Sequence, residues 1–241
     1  MADIVLVHGA WHGAWCWYKV IPLLAAAGHQ VHAIDLPGHG IDRTPTREVS
    51  LSAYADRVAA VLDDCAGPAL LVGHSMGGAV ISQAAELRPS RVLKLVYVAA
   101  FLLEDGVSLS DEAAKDPQSV IPEGLLPQSD GSLLFRMNKV REAFYGDCSD
   151  ADIALCQALL VPQAGRVFRT PVQLSAEGWG RVPRSYIEAT GDRAITLDAQ
   201  RLMHQAQPCE DVFTLETSHS PFLSQPAALA DLLLRCLGRG D

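Results

Sequence analysis

The chain has 241 residues, of which 49% are hydrophobic and 20% charged, and its formal net charge is −9 at pH 7. This composition excludes a disordered or low-complexity protein and is typical of a well-packed globular protein with one large domain. The negative charge argues against nucleic acid or an anionic membrane as the main partner, but it identifies no substrate.

The N-terminal residues show no secretory signal. The apolar segment 4–7 is too short for the core of a secretory signal or for a membrane span. The six cysteines are scattered, with no C-x-x-C pair and no Cys/His cluster at zinc spacing, so we expect them to be reduced and mostly buried. A cytoplasmic location is the resulting expectation.

The first hundred residues alternate short apolar runs with segments of helical period. Buried strands are predicted at residues 3–9, from residue 30 to a break at Pro37, at 68–73 and at 92–100. Helices are predicted between them, at 18–28, from Leu51 with Ser50 as N-cap, and from Met76 to Leu87. Strands that are apolar on both faces and alternate with helices are typical of a parallel sheet covered on both sides.

The alternation stops at about residue 101 and returns at about residue 182. The segment between has few strand signals and several helical ones, including Ser149 and Asp152 in a capping-box pattern. We interpret residues 101–181 as an inserted helical cap, and residues 1–100 and 182–241 as the α/β core. In the second part of the core, strands are predicted at 184–190 and 210–216, with helices at about 196–206 and 224–237.

A serine between glycines follows the third predicted strand. Gly73, Ser75 and Gly77 fit the G-x-S-x-G pattern of a nucleophile elbow, in which a strained serine exposes its hydroxyl above the sheet edge. The glycines are needed because a Cβ at either position would collide with a neighbouring segment. The bare pattern occurs by chance in about one chain of this length in ten, so it needs support from elsewhere.

A serine nucleophile requires a base, and the base requires an orienting carboxylate. In α/β-hydrolases these residues follow the serine in the order acid, then histidine. Of the eight histidines only His204 and His219 follow Ser75, and His204 falls inside a predicted helix. His219, in a loop after the last predicted strand, is the candidate base.

The candidate acid is Asp192, which directly follows the strand predicted to end near Thr190. Asp105, after the strand predicted to end near Ala100, is the main alternative, and Asp198 falls on the next predicted helix. Acyl transfer also needs two N–H donors for the carbonyl oxygen. The backbone N–H groups of Met76, next to the nucleophile, and Ala10, in the loop after the first strand, are the candidates.

Metal binding is not expected. His8 and His12 are four residues apart, but they could bind one ion only from a helix, and Gly9 and Gly13 argue against a helix in this loop.

Three segments resemble the plant methylesterase and hydroxynitrile lyase branch of the α/β-hydrolases, to which small bacterial esterases also belong. They are LVHGAWHGAWCWYKVIPLLAAAGHQVHAIDLPGHG, LLVGHSMGGAV and TSHSPFLSQPAAL. The resemblance covers roughly residues 3–100 and 180–237 and is loose in the cap. It implies an α/β-hydrolase fold with a mostly parallel sheet flanked by helices. The matching site positions are Ser75 as nucleophile, Asp192 as acid, His219 as base, and the N–H groups of Ala10 and Met76 as oxyanion hole.

The branch contains two chemistries. The lyases carry a threonine after the first-strand histidine and a lysine directly after the catalytic histidine, where this chain has Gly9 and Ser220. The expected function is therefore a serine carboxylic-ester hydrolase that forms an acyl-enzyme with small, largely apolar esters and needs no metal or organic cofactor. Hydroxynitrile lyase-type C–C cleavage and a ligand receptor with little turnover are the alternatives. A monomer or a homodimer is expected.

The cap is expected to supply apolar walls to the substrate pocket, although each candidate could equally belong to the core. The candidates are Trp15, Phe135, Phe144, Leu159, Leu160, Trp179 and Phe222. His74, beside the nucleophile, is expected to support the elbow rather than to transfer protons.

Overall fold

The centre of the computed structural model, which describes residues 1–238, is a sheet of six parallel strands. The strands are β1 (Asp3–Val7), β2 (Gln30–Ile34), β3 (Ala69–His74), β4 (Val92–Val98), β8 (Arg184–Ala189) and β9 (Asp211–Leu215). They lie in the order β2-β1-β3-β4-β8-β9, and every neighbouring pair is parallel. All residues of β1 and β3 are buried, as expected for strands covered on both faces.

Helices pack on both sides of this sheet. They are α1 (Ile21–Ala26), α2 (Leu51–Asp64), α3 (Gly77–Leu87), α9 (Leu197–Ala206), α10 (Pro221–Ser224) and α11 (Pro226–Cys236). Ser50 caps α2 as predicted, since its Oγ accepts the N–H of Ala53 at 3.1 Å. The predicted parallel sheet flanked by helices is thus confirmed, and the element bounds differ from the predicted ones by a few residues.

The segment between β4 and β8 differs from the predicted helical cap because it also contains a small antiparallel sheet. Its strands are β5 (Leu125–Pro127), β6 (Ser132–Phe135) and β7 (Gln163–Ala164), in the order β5-β6-β7. Its helices are α4 (Leu109–Ala113), α5 (Ile121–Gly124), α6 (Val140–Phe144), α7 (Asp150–Leu159) and α8 (Gly165–Arg169). Strands of two to four residues are too short for a recognisable alternation of apolar and polar residues, which explains why the sequence did not reveal them.

The cap segment is joined to the core by buried and half-buried polar contacts. Lys19 forms an ion pair with Asp152 of α7 at 2.7 Å, and the Tyr18 hydroxyl donates to the same carboxylate at 2.9 Å. His39 and Gln163 of β7 form a buried hydrogen bond of 3.1 Å. These contacts join the segment between β4 and β8 to the N-terminal part of the chain.

The turn from β3 to α3 is packed too closely for side chains. Ser75 at its centre has a φ of +55°, in the left-handed region. A Cβ added to Gly73 would lie 2.6 Å from the carbonyl oxygen of Gly77, and one added to Gly77 would lie 2.8 Å from that of His8. The spacing of the two glycines thus follows from backbone contacts on either side of the serine.

The cysteines are reduced and mostly buried, as the sequence predicts. All six are free, and each except Cys209 is buried. In the described part of the chain no helix combines the length and the apolar character needed to cross a membrane.

We predict that Gly73→Ala lowers the free energy of unfolding by about 2 kcal/mol, because the added methyl group would press against the Gly77 carbonyl in a turn that cannot yield. Urea unfolding followed by circular dichroism measures the change. Gly67→Ala is the matched control, since a Cβ there meets no atom within 4 Å. Equal midpoints for the two variants would contradict the packing described for this turn.

Candidate active site

Loops that follow four strands meet above the carboxyl edge of the sheet. Ala10 follows β1, Ser75 follows β3, Asp192 follows β8 and His219 follows β9. The carboxyl ends of parallel strands lie at one edge, which is the usual location of sites in open α/β sheets.

Asp192 and His219 are in direct contact. The Nδ1–H of His219 donates to Oδ2 of Asp192 at 2.7 Å, and the two residues are only 1% and 5% exposed, respectively. The other carboxylate oxygen, Oδ1, accepts the backbone N–H groups of Ala194 at 2.7 Å and Ile195 at 3.0 Å. This arrangement orients the imidazole and leaves its Nε2 available for proton transfer.

Ser75 is partly exposed and faces a cavity. Its carbonyl oxygen accepts the N–H groups of Gly78 at 3.0 Å and Phe101 at 3.1 Å, which hold the strained turn in place. Its hydroxyl has no hydrogen bond to His219 within residues 1–238, and catalytic hydrogen bonds are often long before substrate binds. Phe144 lies near both residues, because it lines the cavity that Ser75 faces and its ring centroid is 5.9 Å from that of His219.

His74 supports the loop that carries His219. Its Nε2–H donates to the His219 carbonyl at 2.8 Å, and the two ring centroids are 4.5 Å apart. Burial, with the nearby rings of His219 and His12, holds the pKa of His74 well below its usual value. A neutral ring that donates to a backbone carbonyl is suited to positioning, in line with the expected supporting role.

The two candidate oxyanion donors are free to bind a ligand atom. Ala10 and Met76 line the cavity together with Ser75. Within residues 1–238, neither backbone N–H has a hydrogen-bond acceptor. Unpartnered N–H groups beside a nucleophile are what a developing oxyanion requires.

The cavity has a volume of about 270 Å³ and walls that are almost entirely apolar. Core residues at its walls include Trp11, Met76, Phe101 and Ile195. Cap residues include Leu109, Ile121, Leu125, Phe144 and Phe168. Apart from Ser75, only Ser110 and Ser119 bring hydroxyl groups to the lining, and no charged side chain in the described residues does.

Six of the seven predicted pocket side chains lie outside this lining, which corrects the prediction for Trp15, Phe135, Leu159, Leu160, Trp179 and Phe222. Phe144 alone belongs to it. Trp15 stacks on His12, and Phe135 packs behind Trp11 and Phe144.

The other four corrected positions belong to the surface or the core. Leu159 is 37% exposed and Leu160 packs against the core. The Trp179 indole donates to the Tyr97 hydroxyl at 2.9 Å, and Phe222 is fully buried. The pocket prediction rests on the large size of these side chains, but large side chains fill cores as readily as pockets.

Some of the missed cavity residues could have been found from the positions already chosen. Trp11 directly follows Ala10, Ile195 lies three residues after Asp192, and Phe101 follows the end of β4 at the same sheet edge. Most of the missed cap residues lie on or near α4 and α5, which have five and four residues, and Phe168 lies on α8, which has five; helices this short show no helical period.

The alternative acids and the alternative base have other contacts. Asp105 is exposed and accepts the N–H of Leu174 at 2.8 Å, and Asp198 is exposed in the first turn of α9. His204 is bonded to the buried Glu188 at 2.9 Å.

The family model described as the alpha/beta hydrolase family matches residues 4–232, so the chain belongs to this family. It is 34% identical to Methylesterase 2 of Arabidopsis thaliana, over 95% of this chain and 94% of the relative. It is also 34% identical to a pyrethroid hydrolase of Sphingobium wenxiniae, over 97% and 86% of the two chains. The crystal structure of a pyrethroid hydrolase from Sphingobium faniae superposes with a TM-score of 0.87 at 33% identity, covering 97% of this chain and 96% of that one. The resemblance of the sequence to the methylesterase branch is thereby confirmed.

We predict that the fold loses stability between pH 7 and pH 5. Burial lowers the pKa of His8, His12, His39 and His74, and that of His12 falls from 6.5 to about 4. An unfolded histidine binds a proton below about pH 6.5, whereas folded His12 binds one only below about pH 4, so acid favours the unfolded chain. The complete His12 contribution is about 3 kcal/mol, present above pH 6.5 and lost as the pH falls to 4.

Urea unfolding at several pH values between about 4.5 and 7.5 measures this loss. The His12→Gln variant should show a shallower pH dependence than the wild type. A free energy of unfolding that is the same at pH 7 and pH 5 would show that these rings are not buried in the neutral form.

Proposed function

We propose that the protein is a serine carboxylic-ester hydrolase that acts through an acyl-enzyme. The observation that carries this proposal is the buried hydrogen bond of 2.7 Å between His219 and Asp192, beside a cavity that Ser75 lines. Phe144, whose ring centroid lies 5.9 Å from that of His219, and Ile195, whose N–H is bonded to Asp192, both line this cavity. The names of the relatives, methylesterase and pyrethroid hydrolase, support the same class of reaction.

In the first half of the proposed reaction, His219 Nε2 takes the proton of the Ser75 hydroxyl while Oγ attacks the ester carbonyl carbon. The negative charge that develops on the carbonyl oxygen is held by the N–H groups of Ala10 and Met76. Asp192 stabilises the imidazolium that forms. His219 then protonates the departing alcohol, and the acyl group remains on Ser75.

In the second half, a water molecule attacks the acyl-enzyme and His219 takes its proton. Collapse of the second tetrahedral intermediate releases the carboxylic acid, and His219 returns the proton to Ser75. The same base and the same two N–H donors serve both steps.

The cavity supports small, largely apolar esters as substrates. A charged acyl or alcohol group would be removed from water without a partner, because the described lining offers hydroxyl groups but no charge. Apolar groups give up no hydrogen bonds to water when they enter the cavity, and they gain contact with rings such as those of Phe101 and Phe168.

Two observations favour ester hydrolysis over cyanohydrin cleavage. A Cβ on Gly9 would lie 2.8 Å from that of Ser75 and 2.9 Å from His74 Nδ1, so the threonine of the lyases does not fit this packing without a shift. Ser220, at the position of the lyase lysine, is fully buried and carries no charge. The electrostatic support for a cyanide leaving group is therefore missing.

We predict that Ser75→Ala lowers kcat/KM for short p-nitrophenyl esters by at least about a thousandfold, because the nucleophile is removed. Hydrolysis is followed by absorbance over a panel in which acyl and alcohol size vary separately. Ser90→Ala, at an exposed position away from the cavity, is the control and should match the wild type. An alanine variant that keeps most of the activity, or a wild type that binds esters without releasing product, would refute the proposal.

A second prediction distinguishes the two candidate acids. Asp192→Asn should lower kcat by at least about a hundredfold, since an amide cannot both orient His219 in the required tautomer and stabilise its charge. Asp105→Asn, which changes an exposed carboxylate bonded to the Leu174 N–H, should leave kcat unchanged. The same steady-state assay measures both, and a reversed order would assign the acid to Asp105.

A further inference from the structure

We propose that the cap positions the oxyanion hole, through a hydrogen-bonded chain from Tyr145 to His12 to the backbone of Ala10. The proposal rests on the esterase function proposed above and treats Tyr145 and His12 as positioning residues. It gives the cap a part in the chemistry as well as in forming the cavity wall.

The two peptide groups that flank Ala10 are each held by a histidine. His8 Nδ1–H donates to the carbonyl of Gly9 at 2.8 Å, and His12 Nδ1–H donates to the carbonyl of Ala10 at 2.7 Å. The N–H of Ala10 lies opposite the Gly9 carbonyl in the same planar peptide, so fixing one directs the other. With both peptides held, the Ala10 N–H cannot rotate away from the cavity.

The hydrogen bonds determine which nitrogen of His12 carries the proton. A carbonyl oxygen can only accept, so the proton is on Nδ1, and Nε2 is left as an acceptor. The Tyr145 hydroxyl lies 2.6 Å from Nε2 and therefore donates to it. Burial lowers the pKa of His12 to about 4, which keeps the ring neutral and this arrangement intact at neutral pH.

Two further hydrogen bonds join the cap to the next residue of the same loop. The Trp11 indole N–H donates to the Leu133 carbonyl in β6 at 2.8 Å, and the Trp11 carbonyl accepts the N–H of Val161 at 2.9 Å. Trp11 has a φ of +62°, a conformation that residues other than glycine rarely adopt without support. The cap supplies that support through one hydrogen bond to the Trp11 indole and one to the Trp11 backbone carbonyl.

The consequence for catalysis is specific. An oxyanion donor acts on charge that develops after binding, so a misdirected Ala10 N–H should slow the chemical step and leave substrate binding nearly unchanged. Loss of general packing in the cap would instead change the cavity and raise KM.

The test compares two tyrosine variants that each remove one hydroxyl between cap and core. Tyr145→Phe should lower kcat for p-nitrophenyl butyrate by about tenfold or more, with KM within about twofold of the wild type. Tyr18→Phe removes the 2.9 Å bond to Asp152 but leaves the Ala10 loop untouched, and it should keep the wild-type kcat. A wild-type kcat in Tyr145→Phe, or equal losses in both variants, would overturn the proposal while leaving the Ser75 result intact.

Nitrogen-15 NMR of histidine-labelled protein provides a second readout that does not need activity. His12 should carry its proton on Nδ1 in all three proteins, because the Ala10 carbonyl can only accept, and the resonance of its unprotonated Nε2 should differ from the wild type in Tyr145→Phe, which loses the hydroxyl donor, but not in Tyr18→Phe. A wild-type His12 protonated on Nε2 would overturn the proposal even if the enzyme were inactive on every ester. His12→Asn, which retains an N–H near the Ala10 carbonyl, should keep a higher kcat than His12→Ala, and the reverse order would contradict the chain.

Discussion

The buried hydrogen bond between His219 and Asp192 is the constraint on which the rest of the site depends. A carboxylate that is 5% exposed is costly unless its oxygens are paired, and here two backbone N–H groups and an imidazole share that task. The two loops meet because β8 and β9 are parallel neighbours whose last residues, Ala189 and Leu215, are paired. Sheet register therefore places Asp192 beside His219.

The sheet and the contact between Asp192 and His219 could be predicted from sequence, because each corresponds to a recognisable pattern of residues along the chain. Buried parallel strands are continuous apolar runs, and the order serine, acid, histidine singles out Asp192 and His219 from many candidates. The cavity wall corresponds to no such pattern, because it is formed by segments that are distant in the sequence, including α4 and α5. Trp179 illustrates the difficulty. Its indole N–H donates a hydrogen bond to the Tyr97 hydroxyl inside the core, and the residues around it in the sequence do not distinguish a core position from one in a pocket wall.

The histidines show how one residue type serves several purposes in one protein. His219 is bonded to the carboxylate of Asp192, whereas His8, His12 and His74 are buried donors to backbone carbonyls. An imidazole suits this second use because it is a rigid donor that stays uncharged when burial lowers its pKa. The hydrogen bonds that His8 and His12 make on either side of Ala10 depend on these rings being uncharged, which is the reason that acid is expected to weaken them.

The position of the cap in the chain also determines when the site can form. Strands β2, β1, β3 and β4 are adjacent in the sheet and come from the first hundred residues, so the serine turn belongs to a contiguous block. The strands that bring Asp192 and His219 join only after the whole segment from Ala99 to Pro183 has been traversed, and such distant pairings form slowly. On the ribosome, Ser75 therefore emerges well before Asp192 and His219. The three side chains can therefore come together only after the last two strands of the sheet have been made.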